Sequence, residues 1–350
     1  MKSHNNILAI ILISLFLLLL LLPNIIMVFE ITSKKDNYSF PEISLKNPKE
    51  TLSGLKNFYL NNFGLKDLFL NNYLNIKNTH LKENPIPNSV FKGRNGWYFL
   101  GNQYNNVIND AFGNDNFTDK EVHKITQNIK DINNYLSSKN IKFYLVIPPN
   151  KSSIYKEELP FKLLQNENKL TVLKNNLINE INFNIIDLTD TLLASKKEAQ
   201  LYHKTDSHWN DIGAFIGYSK TIKEISKDIQ VPLANKSSFN ITTKINNKND
   251  LTDLINDTVE SKTVVFDQNN VIKPESYSKD YEHYINPEKS LKLIMHKDSY
   301  SIAWVKYFVE SFGSIYFLDN YKLDKKLIEK TKPDIIIFEL IERDIDILSK

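Results

Sequence analysis

The sequence predicts an α/β domain with a mainly parallel β-sheet flanked by helices, preceded by one N-terminal transmembrane helix. Two observations lead to this prediction. From Phe91 onward, short apolar runs rich in aromatic or β-branched residues alternate with stretches of helical periodicity. That alternation is typical of a helix-covered, mainly parallel sheet. Ahead of this domain, residues 7–29 form one long apolar run.

The N-terminal apolar run extends from Ile7 to Phe29, and only Ser14, Pro23 and Asn24 interrupt it. A helix of this length spans about 35 Å, enough to cross a hydrocarbon core of about 30 Å. A cleaved signal peptide is the alternative, but its apolar region is usually about 7–15 residues and is followed by a small-residue cleavage site. We therefore expect an anchor, with residues 1–6 as a short cytoplasmic end and the remaining chain outside the cell membrane.

Residues 30–85 are predicted to form a stalk and an amphipathic helical lead-in. The segment 30–50 is polar, whereas apolar residues recur at spacings of three and four over residues 51–74, with Gly64 as a break between two helices. The polar side of this lead-in holds Asn and Asp as well as Lys. We therefore expect its apolar side to pack onto the following domain and not to lie in a membrane surface.

The globular domain is expected to cover residues 86–350. Its predicted strands are Trp97–Leu100, Phe143–Ile147, Ile185–Leu188, Thr263–Phe266, Leu291–Met295, Ile315–Leu318 and Ile335–Leu340. Its predicted helices cover residues 119–139, 161–180, 210–228, 301–312 and 324–331. The polar, Asn-rich segment 232–262 is expected to leave the sheet.

Composition excludes several classes of function. The 350 residues include 44 Lys and Arg against 41 Asp and Glu, and a net charge of +3 is too small to indicate a nucleic-acid partner. Since Cys is absent, a disulfide framework, a thiolate nucleophile and a Cys-ligated zinc or iron–sulfur site are excluded. The nine glycines form neither a dinucleotide-binding motif nor a P-loop. The sequence therefore predicts no cofactor.

The first candidate for chemistry is the stretch 202–210, which contains Asp206 and His208. A carboxylate two residues before an imidazole can orient the ring and favour the imidazolium that forms when it accepts a proton. Metal ligands use the same spacing, and His203 would then be a third ligand. As a further alternative, Asp206 or Ser207 caps a helix. Spacing alone leaves these alternatives open.

The second candidate is Ser299, which follows the predicted strand Leu291–Met295 and precedes a predicted helix. Backbone N–H groups at the start of a helix can stabilise the oxyanion of a tetrahedral intermediate. The pattern is not G-x-S-x-G, so it is not the usual α/β-hydrolase motif. The alternative is that Asp298 or Ser299 caps the helix. Together with Asp206 and His208, Ser299 completes a Ser-His-Asp set.

Six blocks follow one another in the chain and together carry a resemblance to a known family. They are the helical lead-in Asn57–Asn75, the entry strand Phe91–Leu100, the strand end Val146–Tyr155, the stretch Thr205–Asn210 followed by Gly213 and Ala214, the turn Asp298-Ser299-Tyr300, and the tail from Lys332-Pro333-Asp334 to Glu342-Arg343. The set resembles the alginate O-acetyltransferase family of the AlgX and AlgJ type, whose domain is SGNH-hydrolase-like.

The resemblance implies an SGNH-hydrolase-like fold in which Ser299 is the nucleophile, His208 the base and Asp206 the acid that orients the base. It also implies the order in which the Asp–His pair precedes the serine. Because Asp206 and His208 are then committed to a triad, no metal is predicted. We interpret Glu342 and Arg343 as a structural ion pair near the last strand.

The residues and the resemblance together predict a membrane-anchored O-acetyltransferase that moves an acetyl group, through acetyl-Ser299, onto hydroxyls of a cell-envelope or exported polysaccharide. The resemblance further implies a multi-spanning membrane acyltransferase as the acetyl donor. The alternatives are a carbohydrate O-acetylesterase with the same triad and a non-catalytic glycan-binding protein. Asn150, Tyr202, Trp209 and Tyr300 are candidate substrate-binding residues. Asn150 is a candidate oxyanion donor, with a turn residue after the strand as the alternative. Tyr202 and Trp209 are candidates for stacking on a sugar ring, with core packing as the alternative for Trp209.

Overall fold

The computed structural model describes residues 2–33, 40–44, 46–162, 167–183, 185–246, 250–257 and 259–349. Parts of the predicted stalk (34–39 and 45), of the predicted helix 161–180 (163–166) and of the polar segment 232–262 (247–249 and 258) lie outside the described residues. The chain divides into two compact units, Met1–Pro85 and Ile86–Lys350.

The first unit is helical. Helix α1 (Lys2–Ser33) contains the segment Ile7–Phe29, which is long and apolar enough to cross a membrane, with a mean hydropathy of 2.9. Helices α2 (Pro48–Asn62) and α3 (Lys66–Asn75) follow. Gly64 separates them, as expected. A Cβ atom there would lie 2.3 Å from the carbonyl oxygen of Pro23, so this close approach of two backbones requires glycine.

The second unit contains the α/β fold. Its strands in the described residues are β1 (Val90–Lys92), β2 (Tyr98–Leu100), β3 (Lys142–Ile147), β4 (Ile186–Asp187), β5 (Phe239–Asn246), β6 (Ser261–Gln268), β7 (Pro274–Tyr277), β8 (Glu282–Ile285), β9 (Lys292–His296), β10 (Ser314–Leu318) and β11 (Ile335–Glu339). Its helices there are α4 (Val107–Ala111), α5 (Asp119–Ser137), α6 (Lys151–Ile154), α7 (Lys169–Ile181), α8 (Thr189–Ser195), α9 (Asp211–Ile225), α10 (Asp250–Leu254), α11 (Val305–Phe308) and α12 (Lys325–Thr331).

The main sheet has the strand order β4-β3-β11-β9-β10-β8-β7. The first five strands are parallel, and β8 and β7 extend the sheet in antiparallel pairing, so the prediction of a mainly parallel sheet is confirmed. The carboxyl ends of β3, β11 and β9 are neighbours at one edge of the sheet. The chain segments that leave these three strands therefore meet at that edge, where open α/β sheets bind ligands.

Helices cover both faces of the sheet, and this explains why the sequence of β11 is continuously apolar. Ile335 and Ile337 belong to the core cluster that includes α9, whereas Ile336 and Phe338 belong to the cluster that includes α5 and α7. Because successive side chains of a strand point to opposite faces, a strand buried on both faces has apolar residues at consecutive positions.

All seven predicted strands coincide with strands of the structure, but two of them lie outside the main sheet. Strand β2 pairs with β1, and β6 pairs with β5, each as a two-stranded antiparallel sheet. A short apolar run has the same appearance in any sheet, so the sequence could not separate these cases. The predicted single helix 301–312 is wrong, because a 3₁₀ turn, Ser299–Ala303, precedes the short helix α11.

Candidate active site

The loop that carries Asp206 and His208 doubles back on itself directly before α9. Tyr202 and Trp209 form an isolated antiparallel bridge at the base of this loop. The Asn210 side chain caps α9 by accepting a hydrogen bond from the Gly213 N–H at 3.0 Å. A Cβ atom at Gly213 would lie 2.3 Å from the carbonyl oxygen of Leu201, so glycine lets the helix begin beside the loop. We call residues 203–208 the Asp–His loop.

The turn that carries Ser299 follows β9 at the carboxyl edge of the sheet. The Asp298 carboxylate caps this turn by accepting from the Tyr300 N–H, and it also accepts from the Ile341 N–H, each at 2.7 Å. Burial raises the pKa of Asp298, although both N–H donors oppose the rise. Because Asp298 is the capping residue, the Ser299 hydroxyl is not used as a cap, and Ser299 itself is exposed to solvent.

The structure brings Asp206, His208 and Ser299 into one hydrogen-bonded chain. His208 Nε2 lies 2.9 Å from Ser299 Oγ, and His208 Nδ1 lies 2.7 Å from Asp206 Oδ1. Asp206 Oδ1 also accepts from the backbone N–H of His208 at 2.9 Å. Burial tends to raise the pKa of the Asp206 carboxyl, but its hydrogen bonds with His208 and the imidazolium charge outweigh burial and hold that pKa well below its usual range.

This geometry can perform nucleophilic acyl transfer. With a proton on Nδ1 held by Asp206, the Nε2 lone pair faces the Ser299 hydroxyl and can accept its proton. The His208 side chain is 29% exposed and the Asp206 side chain 6% exposed. Ser299 and His208 are therefore open to a substrate, while the Asp206 carboxylate is shielded from water.

A second carboxylate, which sequence reasoning did not identify, lies beside this arrangement. Asp250, at the start of α10, accepts hydrogen bonds from the Ser207 N–H at 2.7 Å and from the Ser207 hydroxyl. Its Oδ2 lies 3.8 Å from His208 Nδ1. Burial and the neighbouring Asp206 raise the pKa of Asp250. No pattern around Asp250 indicates this contact, because its partner lies in a distant loop.

The residues that could hold a metal differ from those expected from the sequence, because Asp250 takes the place of His203. Ligand atoms of Asp206, His208 and Asp250 lie within 4.8 Å of one another, and His203 is not part of this group. Carboxylate oxygens and an imidazole nitrogen are a donor set that could hold a divalent cation. However, His208 Nδ1 already shares a proton with Asp206 at 2.7 Å, and Nε2 faces Ser299. The hydrogen-bonded arrangement uses both ring nitrogens without a metal.

Asn150 and the residues after β11 lie beside the turn that carries Ser299. The Asn150 N–H donates to Glu342 Oε2 at 2.8 Å, and Arg343 Nη1 donates to Asn150 Oδ1 at 3.4 Å. The Arg343 guanidinium lies 5.6 Å from the centre of the Tyr300 ring. Glu342 also accepts from the Ser153 hydroxyl at 2.6 Å, and burial raises the pKa of Glu342 to about 7.

The predicted ion pair between Glu342 and Arg343 therefore needs correction. Glu342 accepts from neutral donors after β3 and at the start of α7, whereas Arg343 contacts Asn150 and the Tyr300 ring. Within the described residues, no salt bridge joins the two side chains, which point toward different neighbours from consecutive positions. Arg343 is thus a residue of the site and not only a structural one.

The three aromatic candidates are buried beneath the site. Tyr202 is 0% exposed and donates to the Pro149 carbonyl, and Trp209 is 2% exposed and donates to the Tyr300 carbonyl. Tyr300 is 1% exposed, and its hydroxyl donates to the Ser207 carbonyl at 2.6 Å. This corrects the expectation of sugar contacts, because these rings support the backbone around the triad and offer no face to a ligand.

Comparison with known proteins gives one family and several similar structures. Residues 90–303, more than half of the chain, match the family model for the SGNH hydrolase-like domain of the acetyltransferase AlgX. Bacillus cereus PatB1 is 16% identical with a TM-score of 0.52, covering 75% of this chain and 98% of that chain. Its structure with a sulfonyl adduct is 18% identical with a TM-score of 0.51, covering 65% and 92%.

The O-acetyltransferase domain of Pseudomonas putida AlgJ is 17% identical, covers 74% of this chain and 92% of that chain, and has a TM-score of 0.46. A comparison with curated proteins finds no match. At these identities the similarity to PatB1 shows the fold alone. The family match and this similarity confirm the prediction of an SGNH-like α/β fold.

Proposed function

Since the chain belongs to the family of SGNH hydrolase-like acetyltransferase domains of the AlgX type, we propose that it is an O-acetyltransferase acting through a covalent acetyl-Ser299. The observation that carries this proposal is the hydrogen-bonded order Asp206–His208–Ser299, with 2.7 Å and 2.9 Å between the partners. A serine, an imidazole and a carboxylate in this order form the constellation that activates a hydroxyl for acyl transfer.

The first half-reaction loads the serine. His208 Nε2 accepts the Ser299 Oγ proton while Oγ attacks the acetyl carbonyl carbon of the donor. The tetrahedral intermediate collapses with cleavage of the bond to the donor, and the imidazolium returns the proton to the leaving group. In the second half-reaction a sugar hydroxyl gives its proton to His208 and attacks acetyl-Ser299; the bond between the acetyl carbon and Ser299 Oγ breaks, the imidazolium returns the proton to Oγ, and the O-acetylated glycan leaves.

Two N–H groups are proposed to hold the oxyanion. The Tyr300 N–H is not one of them, since it donates to Asp298. The backbone N–H of Ser299 is next to the reacting atom. The Asn150 amide has its oxygen turned toward Arg343, which leaves its NH₂ group for an acceptor in the site. Preorganised donors of this kind typically account for about 2.7–4 kcal/mol of transition-state stabilisation each.

The proposed place of action is the outer side of the cell membrane. Helix α1 is apolar over Ile7–Phe29 and fits a single-pass anchor or a signal segment; we propose an anchor, with 1–6 inside and 30–85 linking it to the enzymatic unit 86–350. An enzyme in this place would modify a cell-envelope or exported polysaccharide. Because acetyl-CoA is a cytoplasmic donor, a multi-spanning membrane acyltransferase is the proposed source of the acetyl group.

One observation favours a second candidate, a carbohydrate O-acetylesterase. Ser299 is exposed in the structure, so water can reach an acetyl group on its hydroxyl. Transfer to a sugar instead of water requires that the bound glycan excludes water from the acyl-enzyme. The same acyl-enzyme therefore serves both functions, and the acceptor decides between them.

Mass spectrometry of the full chain in detergent tests the proposal. The protein is incubated with p-nitrophenyl acetate beside Ser299→Ala and His208→Ala, with Ser276→Ala on the exposed strand β7 as the matched control. We expect one acetyl group on Ser299 in the wild type and the control, and none in the two site variants. Faster discharge with an oligosaccharide than with water alone supports the transferase. Discharge by water that no oligosaccharide accelerates indicates the esterase, and no adduct in the wild type refutes both.

A further inference from the structure

A buried lysine outside the triad contacts the backbone of the Asp–His loop. Lys151 begins helix α6, directly after the end of β3, and is 4% exposed. Its Nζ donates to three backbone carbonyl oxygens of that loop, at 2.8 Å to Asp206, 3.1 Å to His203 and 3.2 Å to Lys204. Three of the four carbonyl groups of residues 203–206 thus face the Lys151 Nζ.

The groups around Lys151 Nζ favour a charged amine. An ammonium group has three N–H donors and no acceptor, which matches three carbonyl oxygens, whereas a neutral amine has two donors and a lone pair that would face the third oxygen. The surroundings are aromatic, since Nζ lies 5.7 Å from the centre of the Trp97 ring and 5.3 Å from that of Phe99. The lysine charge is therefore balanced by carbonyl dipoles and ring faces.

We infer that the Asp–His loop is built around the Lys151 ammonium as an internal cation, which makes Lys151 a positioning residue for Asp206 and His208. The inference rests on the proposed function for the roles of these two residues. Lys151 holds the loop from the β3 side, while Asp250 holds Ser207 from α10. The imidazole is thus fixed between two elements that are far apart in the sequence.

Burial and the neighbouring charges act in opposite directions on the Lys151 ammonium. Burial lowers the pKa of Lys151 to about 7, while the negative charges of Asp250 and Asp206 oppose that fall. The three carbonyl acceptors favour the charged amine as well. Without the ammonium, the three carbonyls would lose this donor, although the Lys204 carbonyl would keep the Tyr98 N–H at 2.9 Å, and the loop would rearrange to bring the Asp206 carbonyl to water.

The first test compares Lys151→Met with Lys142→Met. Lys142 is exposed and lies at the opposite end of the same strand β3, so the control makes the same substitution away from the site. We expect Lys151→Met to lower the rate of Ser299 acetylation by p-nitrophenyl acetate about 100-fold, the usual effect of a displacement of about 1 Å in a catalytic group. Lys142→Met should leave the rate within about twofold, as expected of a surface site away from the chemistry.

A second readout does not depend on catalysis. The proton shared by His208 Nδ1 and Asp206 should give a downfield proton NMR resonance in the full chain, identified by its loss in His208→Gln. We expect this resonance to disappear or broaden in Lys151→Met and to persist in Lys142→Met. A wild-type chain with the resonance but no acetylation would refute the proposed function, and the resonance of the variants would still decide the role of Lys151.

Chemical rescue separates the charge of Lys151 from its volume. In Lys151→Ala, added n-propylammonium should restore the resonance and part of the acetylation rate, whereas n-propanol of similar size should not. The inference is overturned if folded Lys151→Met keeps the resonance and a rate within about threefold of wild type. It is also overturned if the ammonium and the alcohol act equally on Lys151→Ala, or if neither acts. The rescue of Lys151→Ala therefore tests the positioning role of the Lys151 charge even if Lys151→Met does not fold.

Discussion

Replacing Asp250 by Asn removes one negative charge from beside the base and keeps the shape of the side chain. The Asn oxygen can still accept from the Ser207 N–H, and its NH₂ group can donate to the Ser207 hydroxyl, so the loop should keep its geometry. The change that remains is electrostatic. During acetylation of Ser299, His208 becomes an imidazolium, and Asp250 Oδ2 lies 3.8 Å from its Nδ1.

The size of the effect follows from this distance. Two unit charges at 3.8 Å interact by about 1 kcal/mol at the dielectric constant of water and by about 4 kcal/mol at an effective value of about 20. The side chains of His208 and Asp250 are 29% and 39% exposed, so solvent screening places the interaction at the lower end. A loss of about 1 kcal/mol slows acetylation about fivefold, since about 1.36 kcal/mol corresponds to a factor of ten.

The assay is the rate of the p-nitrophenolate burst with the full chain, with Asp253→Asn as the control. Asp253 is exposed on the same helix α10, so this variant makes the same change of charge on the same element. We expect Asp250→Asn to slow the burst and Asp253→Asn to leave it unchanged. An equal rate for wild type and Asp250→Asn, or an equal loss in both variants, would show that Asp250 does not act on the imidazolium.

Four further predictions concern the same site. Asp206→Asn should slow acetylation about 10⁴-fold by removing the acceptor that fixes the His208 tautomer. The pKa of Asp206 is depressed in the folded chain, so the ionised carboxylate stabilises the fold fully above the unfolded pKa of about 4, and this stabilisation is lost as the pH falls further. Urea titrations at falling pH should therefore show the free energies of unfolding of wild type and Asp206→Asn converging below about pH 4. Tyr300→Phe leaves the buried Ser207 carbonyl without its 2.6 Å donor and should lower the free energy of unfolding by about 1–3 kcal/mol, measured by urea titration. Because both nitrogens of His208 are engaged, prior treatment with EDTA should leave the acetylation rate unchanged, and a loss restored by a divalent metal would contradict the metal-free arrangement.

Apolar runs made the parallel strands of the sheet predictable, and their absence hid the two antiparallel strands, β8 and β7, at one end of it. Strand β11 is apolar at nearly every position because both of its faces are covered. Strand β7 is exposed at all four residues and begins with Pro274, and β8 is only partly buried. Such strands have no hydrophobic pattern, so only their pairing, β8 with β10 and β7 with β8, defines them.

The triad and its supports differ in predictability for a chemical reason. Asp206 and His208 are two residues apart, and Ser299 follows a buried strand, so short patterns indicate all three. Lys151 acts on backbone carbonyls, which every residue possesses and which leave no mark in a sequence. Asp250 reaches Ser207 from an Asn-rich segment in which one more polar residue is not informative. Long-range partnerships of this kind appear only when the fold is known.

The end of β11 explains how residues from distant parts of the chain form one site. This strand lies between β3 and β9, and the residues after it contact both neighbours. The Ile341 N–H donates to Asp298 beside the nucleophile, while Glu342 accepts from the Asn150 N–H on the other side. The family match ends at residue 303, before β11 begins. The residues that bind both the Ser299 turn and Asn150 therefore lie beyond the matched region. The site is complete only when the last strand, β11, has been added between β3 and β9.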